Sequence, residues 1–158
     1  MNKVHIDGET LTIKDLVSVA RENTKVVMPE RVKEKVKKCR EVLEKLIEKN
    51  HVIYGVNTGF GALSNITIPS HELRQLQSNL IRSHSAGVGQ TLNTETVRAS
   101  MLLRANTLAK GYSGIRLETL ETLVEMLNKG VHPIIPAKGS VGASGDLAPL
   151  SHMILVLT

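Results

Sequence analysis

In three separate stretches of the chain, apolar residues gather at helical spacing. Val32, Val36, Cys39, Leu43 and Leu46 follow Pro29 at steps of three and four, Leu73, Leu76, Leu80 and Ile81 follow Ser70, and Leu117, Leu120, Val124 and Leu127 form the last stretch. This spacing gathers apolar side chains on one face of a helix, whereas a half-buried strand needs strict alternation. A further helix is read over about residues 94–109. The expected class is therefore mainly α. Pro29 suits the opening of its helix, which should end near Asn50. Ser70 is read as a helix cap, with that helix stopping before Gly87-Val88-Gly89. Gly111 and Gly130 close the third and fourth helices. Thr12, three residues before Asp15, predicts a capping box and a short helix to about Arg21. Residues 3–12 alternate around Asp7-Gly8 and predict a small hairpin or extended arm, and Val26-Val27-Met28 an extended link. Aromatic residues make up only 2% of the 158, as Tyr54, Phe60 and Tyr112. The core must then be aliphatic, and the length suits one domain, 1–158.

Net charge is +5. Between residues 30 and 49 eight Lys/Arg face five Glu with no aromatic interleaved, which describes a solvated helix face better than a nucleic-acid surface. A single cysteine, Cys39, excludes an internal disulfide. The first residues carry no signal-peptide run, and no stretch reaches membrane-spanning length. A soluble cytoplasmic protein with no nucleic-acid or membrane partner is expected. Residues 147–157 are apolar almost all round, which requires burial on every face. The expectation is that this segment is covered by partner subunits, or that the chain is the N-terminal portion of something larger. His5, His51, His71, His132 and His152 show no paired ligand spacing, so no metal site is expected.

Two segments break the helical pattern. Residues 54–64 read Tyr-Gly-Val-Asn-Thr-Gly-Phe-Gly-Ala-Leu-Ser, and residues 131–146 hold two prolines and three glycines. In the second, no Lys follows the glycines as a P-loop requires. The position two after Ser144 is Asp146, not the Gly of a hydrolase elbow. Residues 134–136 make a poor strand for a dinucleotide loop. Ala143-Ser144-Gly145 suits self-cyclisation. The Gly145 nitrogen is unhindered and tolerates folded-back dihedrals; attack on the Ala143 carbonyl and loss of the Ser144 hydroxyl yield 4-methylideneimidazol-5-one (MIO), an electrophile needing no external cofactor.

Ala143-Ser144-Gly145-Asp146-Leu147-Ala148-Pro149-Leu150-Ser151-His152 resembles the signature of the aromatic amino acid ammonia-lyases and aminomutases. Tyr54-Gly55-Val56-Asn57-Thr58-Gly59-Phe60-Gly61 and residues 76–89 resemble two further stretches of that family, and residues 105–114 resemble its scaffold. The resemblance covers essentially the whole chain, but only the N-terminal part of a longer family sequence. It implies the N-terminal helical domain of the aromatic amino acid lyase fold, which is fumarase/aspartase-like, with minor β elements near the start. The long-helix core domain is absent here.

The resemblance also implies roles. Ala143, Ser144 and Gly145 would form MIO. Tyr54 would be the catalytic base or a proton relay, and Asp146 would assist cyclisation. Tyr54, Gly61, Ser83, His84 and Leu147 would bind an amino acid substrate. Ser83-His84 is the histidine-lyase pattern at a pair that varies within the family. The implied reaction is elimination of ammonia from L-histidine to trans-urocanate in a homotetramer. Tyrosine ammonia-lyase or tyrosine 2,3-aminomutase activity is the alternative, because a phenol hydroxyl could also meet His84. Beside these stands a non-catalytic helical interaction module.

Overall fold

A computed structural model describes residues 3–142 and 145–157. In chain order the elements are β1 (Lys3–His5), α1 (Ile13–Glu22), β2 (Lys25–Val27), α2 (Glu30–Glu48) and α3 (Leu73–His84). They continue with β3 (Val88–Thr91), α4 (Thr94–Leu108), α5 (Leu117–Lys129), β4 (Pro136–Lys138), β5 (Val141–Gly142), β6 (Gly145–Asp146) and α6 (Ala148–Leu155). Single 3-10 turns occupy Gly61–Leu63 and Ser70–Glu72. The chain is mainly helical, as the apolar spacing predicts.

α4 is the centre of the core. Val97, Met101, Leu102, Ala105 and Leu108 are buried on it, packed between α1 and the face of α5 that carries Leu117, Leu120, Leu123, Val124 and Leu127. Val4 and Val26 from the strands, Val32 and Val36 from α2, and Ile135 and Met153 from the C-terminal segment complete one aliphatic cluster. Each such buried side chain contributes about 1.5–3 kcal/mol. α1 begins with the expected capping box: Thr12 Oγ1 accepts from the Asp15 amide at 3.2 Å, and Asp15 accepts from the Thr12 amide at 3.0 Å. α5 ends on Gly130 at φ +72°.

Two expectations need correction. Of the hairpin or extended arm expected for residues 3–12, no hairpin forms; the extended β1 pairs in parallel with β2 across α1, Val4 opposite Val26. The reason lies at Asp7-Gly8. The Asp7 carboxylate accepts from the amides of Glu9 and Thr10 at 2.9 Å each. The Thr10 and Glu9 amides, the Thr10 hydroxyl and Arg31 draw its pKa down to about 2. Gly8, at φ +86°, donates its amide to Asn106 of α4 at 2.9 Å. The turn therefore docks on α4 and leads into α1. Secondly, Ser70 does not cap α3. It begins the 3-10 turn after Pro69 and makes no capping bond, and α3 starts from Glu72, also without one. α6 is partly covered within this chain: Ala148 and Met153 are buried, but Leu150, Leu155 and Val156 are exposed.

Arg98 is a charge inside this core, only 3% exposed. Its Nε and Nη2 donate to Val19 O at 3.0 and 2.7 Å, and its Nη1 donates to Leu127 O at 3.0 Å. Nη1 also lies 3.0 Å from His132 Nε2. Arginine only donates, so Nε2 accepts and His132 is neutral with its proton on Nδ1. Burial, and secondly the Arg98 charge, push the His132 pKa down. Arg98 thus ties the last turns of α1 and α5 to the start of residues 131–146.

Candidate functional site

The last turn of α3 carries Ser83 and His84. Its terminal carbonyls lack intrahelical donors, and side chains supply them. Ser83 Oγ donates to Leu80 O at 2.9 Å, His84 Nδ1 lies 2.9 Å from the same oxygen, and Ser85 Oγ donates to Ile81 O at 2.8 Å. A carbonyl accepts only, so His84 carries its proton on Nδ1. In the neutral ring Nε2 is then a lone-pair acceptor.

Opposite this helix end stands the second glycine-rich segment. β5 and β6 pair antiparallel, with Val141 opposite Asp146 and Gly142 opposite Gly145. Ala143 and Ser144, two of the three residues expected to form the electrophile, lie outside the described residues. Gly145 has φ +99°, a conformation that L side chains rarely adopt. Among the described residues a Cβ there would meet no heavy atom within 4 Å, and one at Gly142 would meet only Gly145 O at 4.0 Å. Asp146 Oδ1 accepts from the Ala148 amide at 3.0 Å, fixing the start of α6. Gly139 fits close against this carboxylate, where a Cβ would stand 2.0 Å from Oδ1.

The two sides meet across a cavity of about 350 Å³ lined by Ser83, His84, Ala86, Ser140, Gly142, Gly145, Leu147 and Ala148. Four residues singled out in the sequence, Ser83, His84, Gly145 and Leu147, therefore share one space. The packing of α3 on α6 and the pairing of β3 with β4 bring them together.

Tyr54 and Gly61 belong to the neighbouring loop and are absent from that lining. Tyr54 is exposed, its ring edge-on to Phe60 at 5.5 Å between centroids. Gly61 has φ +55° with open space where a Cβ would stand. The loop joins α3 through Gln77 Nε2, which donates to Gly55 O at 3.2 Å. Gln77 precedes His84 by seven residues, about 10 Å along the helix.

Motif reading missed what holds this loop. Asn57 and Thr58 are buried. Asn57 Oδ1 accepts from the Ile53 amide at 2.7 Å, and its Nδ2 donates to His51 O at 2.8 Å. The Gly59 amide donates to Ile66 O, and the Ile68 amide to Asn57 O. Gly59 is obligatory, since a Cβ would come within 2.6 Å of Leu63 Cβ and O. Two polar residues inside a glycine-rich run were the available signal. Among the described residues no group of three or more His, Cys, Asp or Glu could hold a metal ion, and no helix is long and apolar enough to cross a membrane.

Comparison with known proteins gives one consistent result. The family model described as aromatic amino acid lyase matches residues 11–158. Histidine ammonia-lyase from Alkaliphilus oremlandii (strain OhILAs) is 57% identical over 157 residues, 99% of this chain and 31% of that relative. Among solved structures, tyrosine aminomutase from Streptomyces globisporus superposes with a TM-score of 0.90 at 45% identity, over 96% of this chain and 28% of that one. Histidine ammonia-lyase from Trypanosoma cruzi gives 0.86 at 41%, over 98% and 29%. The chain thus spans about a third of the length of the relatives it matches.

Proposed function

The chain belongs to the aromatic amino acid lyase family, and from that footing we propose that it supplies the electrophile and part of the substrate pocket of an ammonia-lyase. The proposed reaction is elimination of ammonia from L-histidine to give trans-urocanate. The observation that carries the reading is the cavity in which His84 faces Gly145 and Leu147. Its support is the 51–57% identity to histidine ammonia-lyases.

Members of this family generally depend on MIO, and the residues here suit it. Ala143, Ser144 and Gly145 would form it, a reading supported by the positive φ of Gly145 and by the unhindered nitrogen of a glycine. When formed, the group supplies an electrophilic carbon that withdraws electron density from the substrate's amino group and so makes ammonia a better leaving group. Asp146, held on the Ala148 amide, fixes β6, whose first residue is Gly145 of the tripeptide. His84 commits Nδ1 to Leu80 O and turns Nε2 to account as an acceptor. A substrate imidazole N–H meets that need, while a phenyl ring leaves the acceptor unpaired, which is how polar sites reject analogues. Leu147 and Ser83 border the same space. Tyr54 removes the β-proton in this proposal, from a loop stiffened by Asn57; Gly61 leaves that loop's backbone accessible to substrate. The rest of the pocket comes from family sequence beyond this third and from partner subunits of a homotetramer, a reading supported by the exposed Leu147, Leu150 and Val156.

A second reading has specific support: the tyrosine aminomutase likeness, since a phenol hydroxyl can also donate to His84 Nε2. Turnover of L-histidine, L-tyrosine and L-phenylalanine by the tetrameric enzyme separates the two. Urocanate from histidine, reduced about 10–100-fold in His84→Leu through loss of one polar contact, is expected. A β-amino acid from tyrosine, with histidine untouched, would refute the histidine assignment.

A further inference from the structure

His152 lies on α6 and is not among the residues that line the cavity, yet its ring reaches across to the segment that follows His84. Its Nε2 accepts from the Gly87 amide at 3.0 Å. Gly87 follows His84 by three residues and immediately precedes β3. The fit around it is tight. A Cβ on Gly87 would stand 3.1 Å from His152 Nε2, 3.3 Å from His152 Cδ2 and 3.1 Å from Pro136 Cβ. Gly87 is therefore seated between the imidazole and the first residue of β4. Ala148, which lines the cavity, sits four residues before His152 and so shares its face of α6.

We propose that His152 is a positioning residue: its Gly87 bond sets the separation between His84 on one wall and Gly145–Leu147 on the other. The chain passes from His84 to Gly145 through some sixty residues; α3 packs on α6 and β3 pairs with β4, and within that packing the His152–Gly87 bond is a directed polar tether between α6 and the segment that follows His84. An amide only donates, and Nε2 must hold a lone pair. His152 is thus neutral with its proton on Nδ1, and the tether exists only in that tautomer. His84, on the far wall, also carries a proton on Nδ1, held there by its own helix carbonyl. The tether stands on geometry alone, and its consequence for substrate recognition rests on the histidine-lyase reading.

The test uses nitrogen-15 NMR of the 158-residue chain, comparing the parent with His152→Gln and His152→Leu. In the parent, His152 should show a protonated Nδ1 and a pyridine-type Nε2 coupled to the Gly87 amide. Glutamine offers a carbonyl acceptor and should keep Gly87 exchange within about twofold of the parent, with the His84 ring signals little moved. Leucine removes the acceptor and should speed Gly87 exchange about 2- to 10-fold while shifting the His84 ring signals. An Nε2-protonated ring in the parent overturns the proposal, as does His152→Leu with Gly87 and His84 unchanged. Should His152→Leu fail to fold, the parent's tautomer and the glutamine variant still decide. A chain that shows these signals but forms no electrophile sinks the proposed function and leaves the tether standing.

Discussion

Replacing Arg98 by Met asks which of two opposed effects dominates in this core. Met fills much of the aliphatic volume of Arg98, so packing loss is small and the polar groups decide. Val19 O and His132 Nε2 would lose their donors, each at about 1–3 kcal/mol when left unpaired away from water, while Leu127 O would keep only the Gly130 amide at 3.4 Å. The expected loss is therefore about 2–6 kcal/mol. Against it stands the desolvation of a buried cation, whose removal can be neutral or stabilising when the charge is poorly satisfied. Arg98 is well satisfied, with four close contacts to three acceptors; the loss should win. For a domain of this size each kcal/mol lowers Tm by about 2–4 °C, which places the Arg98→Met shift at roughly 5–20 °C. Urea unfolding followed by circular dichroism reads the change in midpoint, with an unchanged slope marking a true stability effect. Arg98→Lys keeps the charge but cannot fork to both carbonyls, and should fall between parent and Met. A Met variant within about 1 kcal/mol of the parent, or above it, would show that desolvation had cancelled the hydrogen bonds.

Three further outcomes follow from the same contacts. His132 has a lowered folded-state pKa, so the unfolded chain binds its proton first; the corresponding stability is complete above about pH 6.5 and drains away as pH falls below it. Urea midpoints taken from pH 7.5 to 5.5 should fall in the parent and fall less in His132→Gln. Gly139→Ala puts a Cβ 2.0 Å from Asp146 Oδ1, displacing the carboxylate from the Ala148 amide; a loss of about 1–3 kcal/mol and poorer cyclisation should appear together in melts and mass spectra. Asn57→Ala removes both side-chain bonds that close the Tyr54 loop. About 1–3 kcal/mol of local stability should go, seen as faster amide exchange at Gly59 and Ile68 with the α4 amides unaffected.

The helices were legible because each one spends its own residues on a periodic face, and Thr12, Pro29 and Gly130 punctuate them locally. What the sequence hid was long-range. Val88 pairs with Lys138, fifty residues away, in strands of a few residues whose composition carries no alternation. β1 pairs with β2 instead of folding back because Gly8 finds Asn106, a partner that no local pattern announces. Ser70 looked like a cap, but Pro69 before it favours a 3-10 turn. Arg98 gave no sign of its role, since a single arginine among apolar helix positions reads as a surface residue. Within the site, Ser83, His84, Gly145 and Leu147 were picked out by motif, and only packing of α3 on α6 shows that they share a cavity. Asn57 and Thr58 were quoted within a motif, yet their burial as the loop's internal frame follows from folded contacts alone.

In the proposed function, Ala143-Ser144-Gly145 makes an electrophile from its own backbone. Intact-mass spectrometry of the purified chain beside Ser144→Ala decides the point. The parent should be lighter by two water molecules and the variant should not. A parent at its full unmodified mass would show that this segment does not fold into a ring-forming site.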